Sequence, residues 1–148
     1  MKSIFRRLFV AIIAVAVFLS SCHKYEEGPK FSLASKKGRL AGTWKFDVYL
    51  QDGADKTSDY KTIVASESYE IEKDGKYTSS QTNTPLFGGK TFSDAGTWTL
   101  IDSKESLRMI SNTAGAKGDT MKIIRLKSKE LWLRSVSGKP VIEKHFVQ

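Results

Sequence analysis

From Gly42 onward, apolar and polar residues alternate in short segments separated by polar turns, a pattern that half-buried β-strands satisfy and helices do not. In the first segment Trp44, Phe46, Val48 and Leu50 fall on one side and Lys45, Asp47 and Tyr49 on the other, the period of two that places successive side chains on opposite sheet faces. Tyr69 and Ile71 repeat the alternation against Glu70 and Glu72 within segment 62–73. Asp74-Gly75 then marks a tight hairpin into segment 76–80. Segments 97–101, 106–110, 121–126, 130–136 and 141–147 complete a set of eight strands. Asp102-Ser103-Lys104-Glu105, Lys127-Ser128-Lys129 and Ser137-Gly138-Lys139-Pro140 are short polar connections of the kind that join antiparallel neighbours. The expected fold is therefore all-β, an eight-stranded antiparallel up-and-down barrel that leaves no exposed edge, with a two-sheet β-sandwich as the alternative.

The amino terminus has a different character. An apolar run at residues 8–19 follows Lys2, Arg6 and Arg7 and precedes Ser20-Ser21-Cys22. It is shorter than the roughly 20 residues of a membrane span and has the layout of a secretory leader that is removed. Leu19-Ser20-Ser21-Cys22 resembles a lipobox, which makes Cys22 the acylated first residue of the mature chain, carrying diacylglyceryl and palmitate-type chains. Because Cys22 is the single cysteine, lipidation leaves no thiol for a disulfide, a metal site or a nucleophile. Two or more acyl chains, at about 0.8 kcal/mol per buried methylene, hold a protein stably on a membrane. The expected organisation is a leader at 1–21, a lipidated, flexible tether at 22–38 and one barrel domain at 39–148. The expected location is the outer membrane, on its periplasmic face or at the cell surface. Without the leader, 21 basic side chains stand against 16 acidic ones, a net charge of +5. The basic residues are spread along the chain and not gathered among stacking aromatics, which argues against a nucleic-acid partner.

Leu40-Ala41-Gly42-Thr43-Trp44 resembles the L-x-G-x-W opening of lipocalin-like domains. Gly96-Thr97-Trp98-Thr99-Leu100 and Glu130-Leu131-Trp132-Leu133-Arg134 are similar to recurring strands of lipocalin-like lipoproteins of the Bacteroidetes type, and Lys24-Tyr25-Glu26-Glu27 is similar to their surface-export signal. The resemblance spans about residues 39–147. It implies that Gly42 and Trp44 form the barrel floor, with Arg134 as a closing cation over the Trp44 indole.

Candidate binding residues lie in segment 81–95, where Leu86, Phe87 and Phe92 surround Gly88-Gly89, and at Trp98. Such a segment serves either as a lid or docking anchor at the mouth, or as an extended hairpin whose phenylalanines fold back onto the barrel end. For catalysis the sequence offers little. His23 and His145 are far apart, no metal-ligand spacing occurs, no G-x-S-x-G elbow is present, and Gly115-Ala116-Lys117-Gly118-Asp119 reads as a turn. No enzyme activity, metal or cofactor is expected. The expected function is a lipid-anchored barrel that binds a small hydrophobic or amphipathic ligand. The alternative is a filled barrel acting as a protein-interaction or inhibitor module for an envelope partner. An empty apolar cavity above about 300 Å³ favours the first and a packed interior the second.

Overall fold

The computed structural model describes residues 34–148. The expected leader, the Cys22 lipidation site and most of the tether lie outside the described residues. Among the described residues the first element is helix α1 (Lys36–Leu40), which starts inside the stretch expected to be tether and where the Ser35 side chain accepts a hydrogen bond from Gly38 N at 2.9 Å. Then follow β1 (Gly42–Gln51), β2 (Ala54–Asp55), helix α2 (Thr57–Ile63), β3 (Val64–Ile71), β4 (Lys76–Asn83), β5 (Thr91–Ile101), β6 (Ser106–Ser111), β7 (Asp119–Leu126), β8 (Glu130–Ser135) and β9 (Ile142–Val147).

Strand β2 is a two-residue return that pairs with the end of β1. Each of β1 and β3 to β9 pairs antiparallel with its neighbour in sequence, and β9 returns to pair with β1 from Lys45↔Val147 to Gln51↔Ile142. That last ladder closes the sheet, so the protein is an eight-stranded up-and-down barrel and not a two-sheet sandwich. The Asp74-Gly75 turn forms as expected: Gly75 takes φ +101°, and Asp74 Oδ1 accepts from Lys76 N at 3.0 Å. Midway along β5, Gly96 lets that strand approach β6, since a Cβ there would strike the Ile110 carbonyl oxygen and the Tyr77 ring.

A bulge corrects the simple alternation in β1. Phe46 opposes Phe146, yet Val48 opposes the next residue back, His145, leaving Asp47 as the extra residue. Beyond it the faces exchange. Trp44 and Phe46 point inward, whereas Tyr49 opposite Lys144 replaces Val48 and Leu50 on the interior.

The closed end is solid. Leu40, Trp44, Leu107, Ile123, Leu126 and Leu131 are fully buried there, and Trp44 Nε1 donates to Leu40 O at 2.7 Å, tying the end of α1 across the floor. Gly42 enters β1 at φ +147°, with the Gln148 side chain packed against its α-carbon. Gly42 and Trp44 thus both lie at this closed end. Among the described residues no helix is long and apolar enough to cross a membrane, and no side-chain cluster suits a metal ion.

Candidate functional site at the barrel mouth

At the opposite end the interior turns polar. Glu67 on β3 points inward and is only 7% exposed. Lys144 Nζ on β9 lies 2.8 Å from both of its carboxylate oxygens. The Tyr60 hydroxyl completes the group, donating to Glu67 Oε2 at 2.7 Å and accepting from Lys144 Nζ at 2.9 Å. Burial, and then the hydrogen bond to Glu67, raise the Tyr60 pKa above its ordinary value, which keeps the hydroxyl protonated as a donor.

Tyr60 belongs to α2, a helix with no fully buried side chain. Its ring stacks on Tyr49 at 4.5 Å and tilts against Phe46 at 4.9 Å. Thr57 Oγ1 accepts from Tyr49 N at 2.9 Å at the start of the helix, while Thr84 donates to Ile63 O and Thr62 O at 2.8 and 2.7 Å at its end. The helix is thereby fastened to β1 and to the β4–β5 hairpin. Its seven residues direct a single aromatic inward, too short a period for sequence patterning to reveal.

Across the mouth, Asp94 on β5 accepts from Tyr77 Oη at 2.7 Å and from Ser111 Oγ at 2.5 Å. These bonds, Ser111 first, hold the Asp94 carboxyl below the usual carboxylate range. The Tyr77 phenol is pushed up to about 12, chiefly by burial and then by Asp94. A tyrosine in the unfolded chain ionises near pH 10, so between about pH 10 and 12 the unfolded state binds fewer protons and stability falls as pH rises. In urea titrations across this window, Tyr77→Phe is expected to lose stability with pH less steeply than the parent chain. An identical slope would remove Tyr77 from the alkaline transition.

Between these two groups lies a pocket of about 230 Å³ lined by Glu67, Tyr69, Ser79, Gln81, Phe92 and Asp94. Tyr69 packs edge-on against Phe146 at 5.3 Å, and its hydroxyl has no hydrogen-bond partner among the described residues. The pocket is smaller and far more polar than the apolar cavity that a purely hydrophobic ligand would need.

Segment 81–95 takes the extended-hairpin form, because β4 continues to Asn83 and β5 begins at Thr91. Pro85–Phe87 forms a 3-10 turn that Gly88 closes at φ +89°. The apolar side chains do not fold back onto the barrel: Leu86 is 82% exposed, Phe92 56% and Phe87 49%. With Ile63 at the end of α2, also exposed, they form an apolar rim beside the pocket.

Two expected site residues lie elsewhere. Trp98 belongs to the buried core of the closed end, where its Nε1 donates to Glu72 O at 2.9 Å and Lys37 Nζ sits 5.6 Å from its ring. Arg134 does not reach Trp44; it lies outside the barrel toward the mouth, with Nε 2.8 Å from Glu143 Oε2. Outward-facing positions on β8 and β9 put it there, since Arg134 opposes Glu143 in the ladder. On that outer surface His145 stacks on Trp132 at 4.0 Å, with its Nε2 2.7 Å from Glu143 Oε1 and the Arg125 guanidinium 4.5 Å from the same indole. His145 is thus a surface histidine held by its neighbours. A larger groove of about 660 Å³ adjoins the pocket, sharing Ser79, Ser80, Ser93 and Asp94 with it and continuing past Thr43 and Thr78.

No protein-family model matches the chain, and no curated protein matches it in sequence. Among solved structures it is similar to a redesigned β-barrel, with a TM-score of 0.48 and 10% identity over 80% of this chain and 98% of that one. It is also similar to fatty-acid-binding protein 1 of Echinococcus granulosus, with a TM-score of 0.43 and 14% identity over 74% of this chain and 97% of that one. A point variant of the fluorescent protein UnaG aligns with a TM-score of 0.42 and 14% identity over 74% of this chain and 96% of that one.

Proposed function

We propose that this protein is a non-catalytic, membrane-anchored lipoprotein whose lipocalin-like barrel binds a small amphipathic ligand at its mouth. The observation that carries this reading is the pairing of a small polar pocket with an exposed apolar rim at one end of an otherwise filled barrel. A polar ligand end would find hydrogen-bond partners in the pocket, while its apolar portion would cover Leu86, Phe87 and Phe92. A fully hydrophobic ligand would strand the pocket's polar groups without partners, which costs about 1–3 kcal/mol for each buried group. The anchor in this reading is Cys22, and the location is the outer membrane.

Mild detergent extraction from the native host followed by native mass spectrometry tests the binding role. A co-purifying small mass that is lost in Leu86→Ser/Phe87→Ser/Phe92→Ser is the expected result. Metabolic labelling with palmitate, abolished by Cys22→Ala, tests the anchor. A second reading, favoured by the protruding Leu86-Phe87 tip, is docking of an envelope protein; it predicts a co-purifying protein in place of a small molecule.

A further inference from the structure

Exposed apolar side chains gather at one end of the barrel. Of the eight large ones among the described residues, Ile63, Leu86, Phe87, Phe92, Val136 and Val141 stand at the mouth ends of their elements, while Val147 lies at the closed end and Ile110 on the flank of β6. The six belong to three segments that hydrogen bonds join into one stretch of rim. Thr84 Oγ1, ahead of the Leu86-Phe87 tip, donates to Thr62 O beside Ile63 at the end of α2. The β1–β2 turn, which leads into α2, is bonded to the β8–β9 connection: Asp52 N donates to Val141 O at 2.9 Å, and Asp52 Oδ1 accepts from Val141 N at 2.9 Å. Each of the three segments also presents an exposed lysine, Lys61, Lys90 and Lys139. None of these lysines is in an ion pair among the described residues. The carboxylates nearby are taken up, Asp52 by Val141 N, Asp55 by Thr57 N at 2.8 Å and Asp59 by Lys56 at 3.3 Å.

We propose that this stretch of rim docks on a membrane surface bearing anionic phospholipids, with Leu86 and Phe87 entering the head-group layer and Lys61, Lys90 and Lys139 beside the phosphates. Apolar side chains leave water at that depth, and the ammonium groups around them meet the lipid charge. Lysine is depleted from protein–protein interfaces, which argues against a protein as the occupant. No ligand is required for the contact, but it sets the pocket against the bilayer, where a membrane-borne amphiphile reaches it without crossing water. Twelve residues separate Cys22 from Ser35, a span of up to about 40 Å. The barrel is roughly 30 Å long, so an anchor joined through the closed end leaves the mouth able to face the same membrane.

The test uses the chain from residue 22 onward, which contains the whole described barrel, with Cys22→Ala so that no acyl chain contributes. It is mixed with phosphatidylcholine vesicles, with and without phosphatidylglycerol, and the bound fraction is measured by flotation. Partition onto the anionic vesicles is expected to be roughly tenfold or more above that onto the neutral ones, an advantage that shrinks as salt is raised. Leu86→Ser/Phe87→Ser, at side chains 82% and 49% exposed, should lower partition about tenfold without changing the circular dichroism spectrum. Lys61→Ser/Lys90→Ser/Lys139→Ser should remove the preference for anionic vesicles, and Lys73→Ser/Lys129→Ser at the closed end should leave it intact. Equal losses from the rim and closed-end lysine variants, with none from the tip variant, would overturn the docked rim in favour of general attraction by a basic chain. Absence of flotation with either vesicle would also overturn it and leave the rim to a protein partner, with the ligand reading untouched.

Discussion

Replacing Trp44 with alanine is expected to lower the free energy of unfolding by about 4 kcal/mol, the largest loss from any single truncation in this barrel. The side chain is fully buried at the centre of the closed end, so its removal opens a cavity that Leu40, Leu131 and Phe146 cannot all move to fill. It also strands the Leu40 carbonyl, which receives the indole N–H at 2.7 Å, and so loosens α1 from the floor. Urea denaturation at neutral pH measures the effect as a lower midpoint with an unchanged slope. A loss under about 1 kcal/mol would show that the floor closes without the indole. Because the mouth lies at the far end of the barrel, ligand affinity at temperatures well below unfolding should change little.

The second large effect is expected at the mouth. Lys144→Met removes the ammonium that lies 2.8 Å from both oxygens of Glu67, a carboxylate whose side chain is only 5% exposed. Leaving a buried charge uncompensated costs about 3 kcal/mol. The double variant Glu67→Gln/Lys144→Met should recover most of the loss at neutral pH, since an amide can still bond to Tyr60 without carrying charge. If single and double variants were equally unstable, the loss would come from packing around Tyr60 and not from the unpaired carboxylate. Either way, circular dichroism should retain a β-sheet spectrum, because the group lies at the mouth and the closed-end core is untouched.

The strands were legible because each has a wet face and a dry one, and a period of two survives in sequence wherever that holds. Trp98 and Gly96 in β5, Leu131 and Leu133 in β8, and the Asp74-Gly75 turn all follow from local chemistry that no distant contact overrides. The floor residues Gly42 and Trp44 were legible for a similar reason: a glycine ahead of an inward tryptophan at the start of the first strand has few other uses. Less of the mouth was readable. Helix α2 shows one inward aromatic in seven residues, which is too little amphipathicity to register, and its position depends on Thr57 and Thr84 bonding to strands remote in sequence. The length of the β4–β5 hairpin was hidden because Ser, Thr and Asn serve equally well in loops and on the outer faces of strands. Trp98 was read as a candidate binding residue, and the resemblance put Arg134 at the floor, because sequence assigns a residue to a strand without saying how far along the barrel axis it lies.

By itself, then, the sequence determined the number of strands and their antiparallel order, since alternation and turn chemistry act over a few residues; the β1–β9 ladder decided between a closed barrel and a sandwich. Tertiary structure alone decided which faces turn inward beyond the Asp47 bulge, a choice made by pairing with β9 and not by any property of β1. It also decided that Lys144 meets Glu67 and Tyr60, because separations of 77 and 84 residues are bridged only when β9 closes on β1. A charge in the sequence carries no mark of its partner; burial and geometry assign one when the barrel shuts.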